Sequence, residues 1–275
     1  MKKKKGAKNM AQYLGETKTW MSSGLHTSLK KDDYASGQLY PPHCNNCYEI
    51  LFVAKGSVRF DMEGEQITLK ENNAIVIAPM VYQIVTGNDD AYHRIILFFD
   101  LPTVPEGVRN EFASQVGKRY TCSSPELIRL FQSYLQLKED DNPQFDELSN
   151  AIFTMILYII AYDKSIDKNS QISAKKEKLR LITNRLDQNL TGEVQIREIA
   201  KELHVSESSV YRLFKEEMKI PLKQYVLKKK MIYAETLLRQ GMSPGDVAQT
   251  CGYKNYASFY KVFVKLTGKR PGKVV

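Results

Sequence analysis

The chain has 275 residues, 43% hydrophobic and 26% charged, which is the composition of a globular protein of about two ordinary domains. Its four cysteines (Cys44, Cys47, Cys122, Cys251) are too few for a disulfide framework and point to a reducing cytoplasm. The net charge of +9 is unevenly placed: residues 171–275 carry 21 Lys/Arg against 10 Asp/Glu, a net of +11, while residues 9–170 come to −7, so only one half is expected to meet a polyanion.

The opening run Lys2 to Lys5 is followed by Gly6-Ala7-Lys8-Asn9 and not by an apolar block, so no export signal is expected. Residues 48–53, 58–62, 66–69, 74–78, 83–86 and 94–99 read as short strands. They are punctuated by Gly56, Gly64, Asn72-Asn73, Pro79 and Gly87-Asn88. Many short strands at this spacing predict a sandwich or barrel, not a parallel sheet. Two helices follow, at 125–138 and 145–162. The longest apolar run, from Ala151 to Tyr162, is too short to cross a bilayer, so no membrane partner is expected. The second helix has more apolar surface than one barrel face can cover, which makes it the candidate dimer contact. Residues 163–170 have no apolar period and read as a flexible linker; from Lys175 onward the period is helical.

A helix-turn-helix needs a small residue where its helices cross and apolar residues at fixed offsets around the bend. In residues 196–205, Ala200 is that small residue; Ile199, Leu203 and Val205 face inward, and Val210 and Leu213 continue the face on the next helix. Ser206 can cap that helix, and His204 sits in the turn as a backbone residue, not a ligand. The design recurs 48 residues later with Ala248 at the crossing, Val247, Cys251 and Tyr253 inside, and Gly252 in the turn. Ser243 caps its first helix and Pro244 fits the first position; its second helix starts near Asn255 and buries Phe259, Val262 and Phe263. The second turn is one residue longer than the first. Between the units lies one helix over 222–240, ended by Gly241, roughly 28 Å long and close to the ~34 Å between successive major-groove faces.

The run Ser206 to Lys215, the intervening helix 228–238, and Cys251-Gly252-Tyr253 through Phe259, Phe263, Gly268 and Pro271 resemble the C-terminal module of the AraC/XylS family of bacterial regulators over about residues 178–272. Departures are Tyr253 for the usual Phe, Lys230 for Arg, and Lys219 where Gly is frequent. Pro42-His43, the strand 48–53 closing on Gly56, and Ile77-Ala78-Pro79 resemble the cupin-type barrel found N-terminal in that family.

The fold class implied is α+β multidomain: a cupin-like β-barrel with a helical dimerisation segment, then an all-α module with two helix-turn-helix units. The expected division is residues 1–163 for effector binding and dimerisation, 164–176 as linker, and 177–275 for DNA binding. By resemblance, Ser208, Ser209 and Arg212 on the first reading helix and Tyr256, Ala257 and Lys261 on the second face bases, with Arg212 able to pair bidentately with guanine. Lys215, Lys254 and the helix starts at Ser206 and Asn255 are expected on phosphate.

Strand parity puts residues 43, 45, 49, 51 and 53 on one face. Metal-binding cupins place histidines where this chain has Asn45 and Gln83, so no metal and no cofactor are expected. Cys44 and Cys47 form a lone Cys-x-x-Cys, read as two ordinary cysteines. Tyr40, His43, Glu49 and Gln83 are the expected polar lining for a small uncharged or cationic effector. The partners implied are double-stranded DNA, a small-molecule effector, a second copy of the chain and RNA polymerase. The alternatives are a ligand-independent dimeric regulator and a cupin enzyme with an accessory DNA-binding domain.

Overall fold

The computed structural model of the chain describes residues 20–22, 25–32, 43–87, 92–116, 119–122, 124–140, 142–163, 174–192 and 195–274. The N-terminal half opens with β1 (Trp20–Ser22) and β2 (Leu25–Asp32), both outside the predicted set. The six predicted strands follow, each within two residues of its expected ends: β3 (Tyr48–Lys55), β4 (Ser57–Met62), β5 (Glu65–Lys70), β6 (Ala74–Ile77), β7 (Gln83–Gly87) and β8 (Tyr92–Phe99). The unpredicted α1 (Arg109–Val116) and β9 (Arg119–Cys122) precede the two predicted helices, α2 (Pro125–Glu139) and α3 (Phe145–Tyr162). Ser124 caps α2: its side chain accepts the Leu127 N–H, with Pro125 at the first position.

The strands form two sheets, one ordered β1-β2-β8-β3-β6-β9 and the other β5-β4-β7. The expected barrel is therefore corrected: no closed barrel is found among the described residues. β7 pairs with β4 on one side, and on the other makes only the isolated bridge Gln83–His43. The edge of β6 that could have met it is taken by β9. The chain crosses between sheets at tight turns, with Gly56 at φ 79° and Asn72 at φ 65°, so short strands stack face to face.

This arrangement explains why β3 reads as a nearly continuous apolar run. Its Tyr48, Ile50 and Phe52 pack on α1, α2 and α3 on one side of the sheet. Its Leu51 and Val53 face Val58, Phe60 and Val85 of the second sheet. A strand covered on both faces needs no polar alternation. β4 does alternate, with Val58, Phe60 and Met62 buried and Arg59 exposed, because among the described residues no layer covers its outer face.

α3 is longer than the twelve-residue apolar run on which the sequence expectation rests. Its 18 residues are long and apolar enough to cross a membrane by length and composition. Its Phe153, Ile156, Leu157 and Ile160 are instead buried in the core against the six-stranded sheet.

The C-terminal half is helical: α4 (Ala174–Gln188), α5 (Ile196–Glu202), α6 (Glu207–Met218), α7 (Leu222–Arg239), α8 (Pro244–Thr250) and α9 (Tyr256–Thr267). α4 begins three residues inside the stretch read as linker; residues 164–173 lie outside the described set. α5 and α6 form one apolar cluster with α4 and the start of α7, and α8 and α9 form another with the rest of α7. α7 closes with Gly241 at φ 88°, where Met242 N–H bonds the Leu237 carbonyl and Gly241 N–H the Leu238 carbonyl.

Candidate DNA interface and ligand-binding site

The two helix-turn-helix units match in their crossing residues, their turns and the starts of their second helices, the second turn being one residue longer. Ala200 and Ala248 are buried at their crossings, at 3% and 2% exposure, where any larger side chain would force the helices apart. The turns carry the positive φ that the bend requires, 53° at His204 and 76° at Gly252. A Cβ on Gly252 would lie 3.0 Å from the Thr191 carbonyl oxygen, so glycine answers a close approach as well as a φ.

The reading helices start from side-chain caps. Ser206 Oγ accepts the Ser209 N–H at 3.2 Å, and Asn255 Oδ1 accepts the Ser258 N–H at 2.9 Å. Both residues thus spend their side-chain oxygen inside the protein, which makes them positioners of the helix start. Beyond the caps, α6 exposes Ser208, Tyr211, Arg212 and Lys215, spaced i, i+3, i+4, i+7 and so lying on one face. Position for position, α9 carries Ala257, Tyr260 and Lys261, with Tyr260 half-buried, and adds Tyr256 at 44% exposure.

Arg212, Lys215, Lys254 and Lys261 are exposed, and among the described residues they make no hydrogen bond or ion pair. Tyr211 and Tyr260 are the members of these faces that sequence reading missed; the signal available was their identical spacing from Arg212 and Lys261. Ser209 is placed differently from Ser208. It is half-buried in a cleft of about 400 Å³ that it shares with Leu203, Val205, Leu213 and Lys178, on the flank of α6.

The expected effector residues come together through the sheets. The backbones of His43 and Gln83 exchange two hydrogen bonds, 3.1 and 2.8 Å, which sets their side chains on one face. Gln83 Nε2 donates to Glu49 Oε2 at 2.8 Å, and Asn45 Nδ2 donates to the same oxygen at 2.9 Å. Glu49 and Gln83 are 4% and 1% exposed, and Gln83 Oε1 is buried without a hydrogen-bond partner. Tyr40 lies outside the described residues.

Cys44 is buried and Cys47 half-buried, and burial pushes both thiols up to about 12. Neutral thiols of this kind are poor nucleophiles and poor metal ligands. Among the described residues, no group of His, Cys, Asp and Glu is arranged to hold a metal ion.

Comparison with known proteins agrees with this layout. A model of the AraC-like ligand binding domain matches residues 29–157, and a model of a helix-turn-helix domain matches residues 199–275. The probable transcriptional regulator LumQ of Photobacterium leiognathi is 25% identical over 73% of this chain and 81% of its own length. The Msm operon regulatory protein of Streptococcus mutans is 23% identical over 89% and 91%. Among solved structures, ToxT from Vibrio cholerae aligns over 92% of this chain and 97% of its own, at 12% identity and a TM-score of 0.39. The AraC-like transcriptional activator CuxR aligns over 84% and 83%, at 13% identity and a TM-score of 0.42. With a ligand-binding domain ahead of a helix-turn-helix DNA-binding domain, this chain belongs to the AraC family of transcription regulators.

Proposed function

We propose that this regulator reads DNA through the exposed faces of α6 and α9, and that residues 1–163 bind a small effector and dimerise while 177–275 carry DNA binding, with 164–176 between them. The observation that carries the reading is the matched pair of faces: Ser208, Tyr211, Arg212 and Lys215 on one helix, Ala257, Tyr260 and Lys261 on the other, with cations that no group among the described residues engages. Arg212 and, at the matching place on α9, Lys261 face bases, Lys215 and Lys254 neutralise phosphates, and the aromatic rings pack on sugar or thymine methyl groups. Ser206 and Asn255 act by fixing the helix starts. Site-specific binding of this kind is a cytoplasmic task without catalysis, and its output on a promoter requires RNA polymerase as the eventual partner.

The test uses a duplex selected by the protein from a random-sequence pool and a scrambled control. Arg212→Ala is expected to cost about 1–3 kcal/mol on the selected duplex and to relax preference at one base pair. Lys215→Ala is expected to weaken both duplexes alike. Equal losses on both duplexes for both variants would refute base reading by Arg212.

The effector site is supported by Gln83 Oε1, a buried acceptor with no protein partner, beside a Glu49 carboxylate whose two protein donors share one oxygen. Acceptors converging there suit a ligand with hydroxyl or ammonium donors, since an unpaired buried acceptor is costly until a donor arrives. Glu49→Ala is expected to abolish the effector response in a reporter strain while the melting temperature changes little. A variant that melts early, with no small molecule shifting the wild-type protein, would refute the pocket.

A further inference from the structure

A hairpin turn of the N-terminal half is buried against the helices of the C-terminal half. Glu63 and Gly64 join β4 to β5, both with positive φ, 49° and 88°. The Glu63 carboxylate is 7% exposed, although it belongs to a surface turn of the N-terminal half. It accepts the Tyr225 hydroxyl at 2.9 Å and Lys229 Nζ at 2.9 Å, both from α7, and Lys229 Nζ also donates to Asp187 of α4 at 2.6 Å. Burial opposes the charge on Lys229, yet Glu63 and Asp187 together outweigh it and hold the ammonium above the usual lysine range. The turn also touches α4 directly: a Cβ on Gly64 would lie 2.3 Å from Leu179 Cδ2. Beside it, the Tyr82 ring packs edge-on against Tyr225 at 5.4 Å.

This contact is one-sided. The first helix-turn-helix unit shares its apolar cluster with Cys44 and Tyr82 of the N-terminal half. The cluster of the second unit contains no residue of that half. Near the second unit the link is an exposed ion pair, Arg239 to Asp100 at 3.4 Å.

A buried ion triad adds little net stability, because desolvation cancels most of the attraction, but it fixes register. On separation Glu63 and Lys229 regain water, so the ionic part of the seam opens at lower cost than an apolar contact of equal area. While closed, it keeps the acidic half, net −7 over residues 9–170, beside the unit that must approach DNA phosphates.

We propose that the β4–β5 turn is a releasable clasp that holds the first helix-turn-helix unit against the ligand-binding half and restrains its DNA binding, leaving the second unit outside its reach. The inference rests on the reading of α6 as a DNA-reading helix. It is tested in the full chain with two substitutions that open the seam by different routes. Glu63→Gln keeps the size of the side chain and removes its charge; Gly64→Ala keeps every residue of the triad and pushes the turn away by setting a methyl against Leu179 at a positive φ.

Both variants are expected to bind the selected duplex more tightly, by at least about five-fold, the lower end of typical coupling between sites. Amide hydrogen exchange should accelerate in 62–65 and 178–187 and stay unchanged in 244–267. Unchanged or weaker DNA binding with exchange showing an open seam would overturn the proposal and leave passive packing. Unchanged exchange in both variants would overturn the role given to these contacts. Arg212→Ala placed on the Glu63→Gln background separates the two readings: if affinity for the selected duplex persists there, the assignment of α6 fails and not the clasp.

Discussion

Lys219 and Gly268 hold the same place in the two helix-turn-helix units, directly after α6 and α9, at φ 56° and 72°. The left-handed region costs an ordinary L-residue about 1–2 kcal/mol and costs glycine nothing, while glycine gives back about 0.5–1 kcal/mol through the freedom of its unfolded chain. Lys219→Gly is therefore expected to stabilise the protein by about 0.5–1 kcal/mol, read as a higher denaturant midpoint at unchanged slope. A lower midpoint would show that the Lys219 side chain contributes more than its backbone costs. Lys219 was legible in the sequence as a departure from a frequent glycine. Glu63, Lys229 and Glu235 were not legible. Each is a charged residue buried by a partner far away in sequence, and a single sequence places charge on the surface by default.

At the scale of elements, α3 shows what periodicity can and cannot decide. Its apolar residues run nearly all round, which fixes a helix but not what covers each face. The sheet takes Phe153, Ile156, Leu157 and Ile160. Leu148, Met155, Tyr158 and Tyr162 remain exposed, at 38%, 55%, 43% and 57%, and with Ala151 they form a stripe spaced three and four residues apart. That is the spacing of a two-helix seam, and the isologous symmetry of a homodimer would let one stripe meet its copy. Met155→Glu is expected to shift the protein to monomers in sedimentation at micromolar concentration, without loss of helix content, since the buried face is untouched. A variant that sediments as the wild type does would remove α3 from the interface.

At the scale of the whole molecule, the charge asymmetry makes a quantitative forecast. Among the described residues Lys215 and Lys254, the two cations assigned to phosphate, stand exposed and unengaged, and each phosphate neutralised contributes about −0.9 to the slope of log affinity against log salt, so these two alone give a slope of about −1.8. A flat salt response would sink the electrostatic reading of residues 171–275. The same asymmetry sets the sign of the clasp: moving an acidic body away from a basic one favours a polyanion at any ionic strength, and most at low salt.

The sequence by itself determined the local features. Strands 48–99, the caps at Ser206 and Ser243, the left-handed turn at His204 and the two small crossing residues each follow from steric or hydrogen-bonding rules acting within a few residues. It also carried the order of the two halves, because their periods and charges differ. Tertiary structure alone decided whether the strands would close. That depends on which edge β9, outside the predicted set, would occupy, and it took the free edge of β6. It also decided that Glu63 would meet Tyr225 and Lys229 across about 160 residues of chain, since pairing at that distance is set by how two folded surfaces fit.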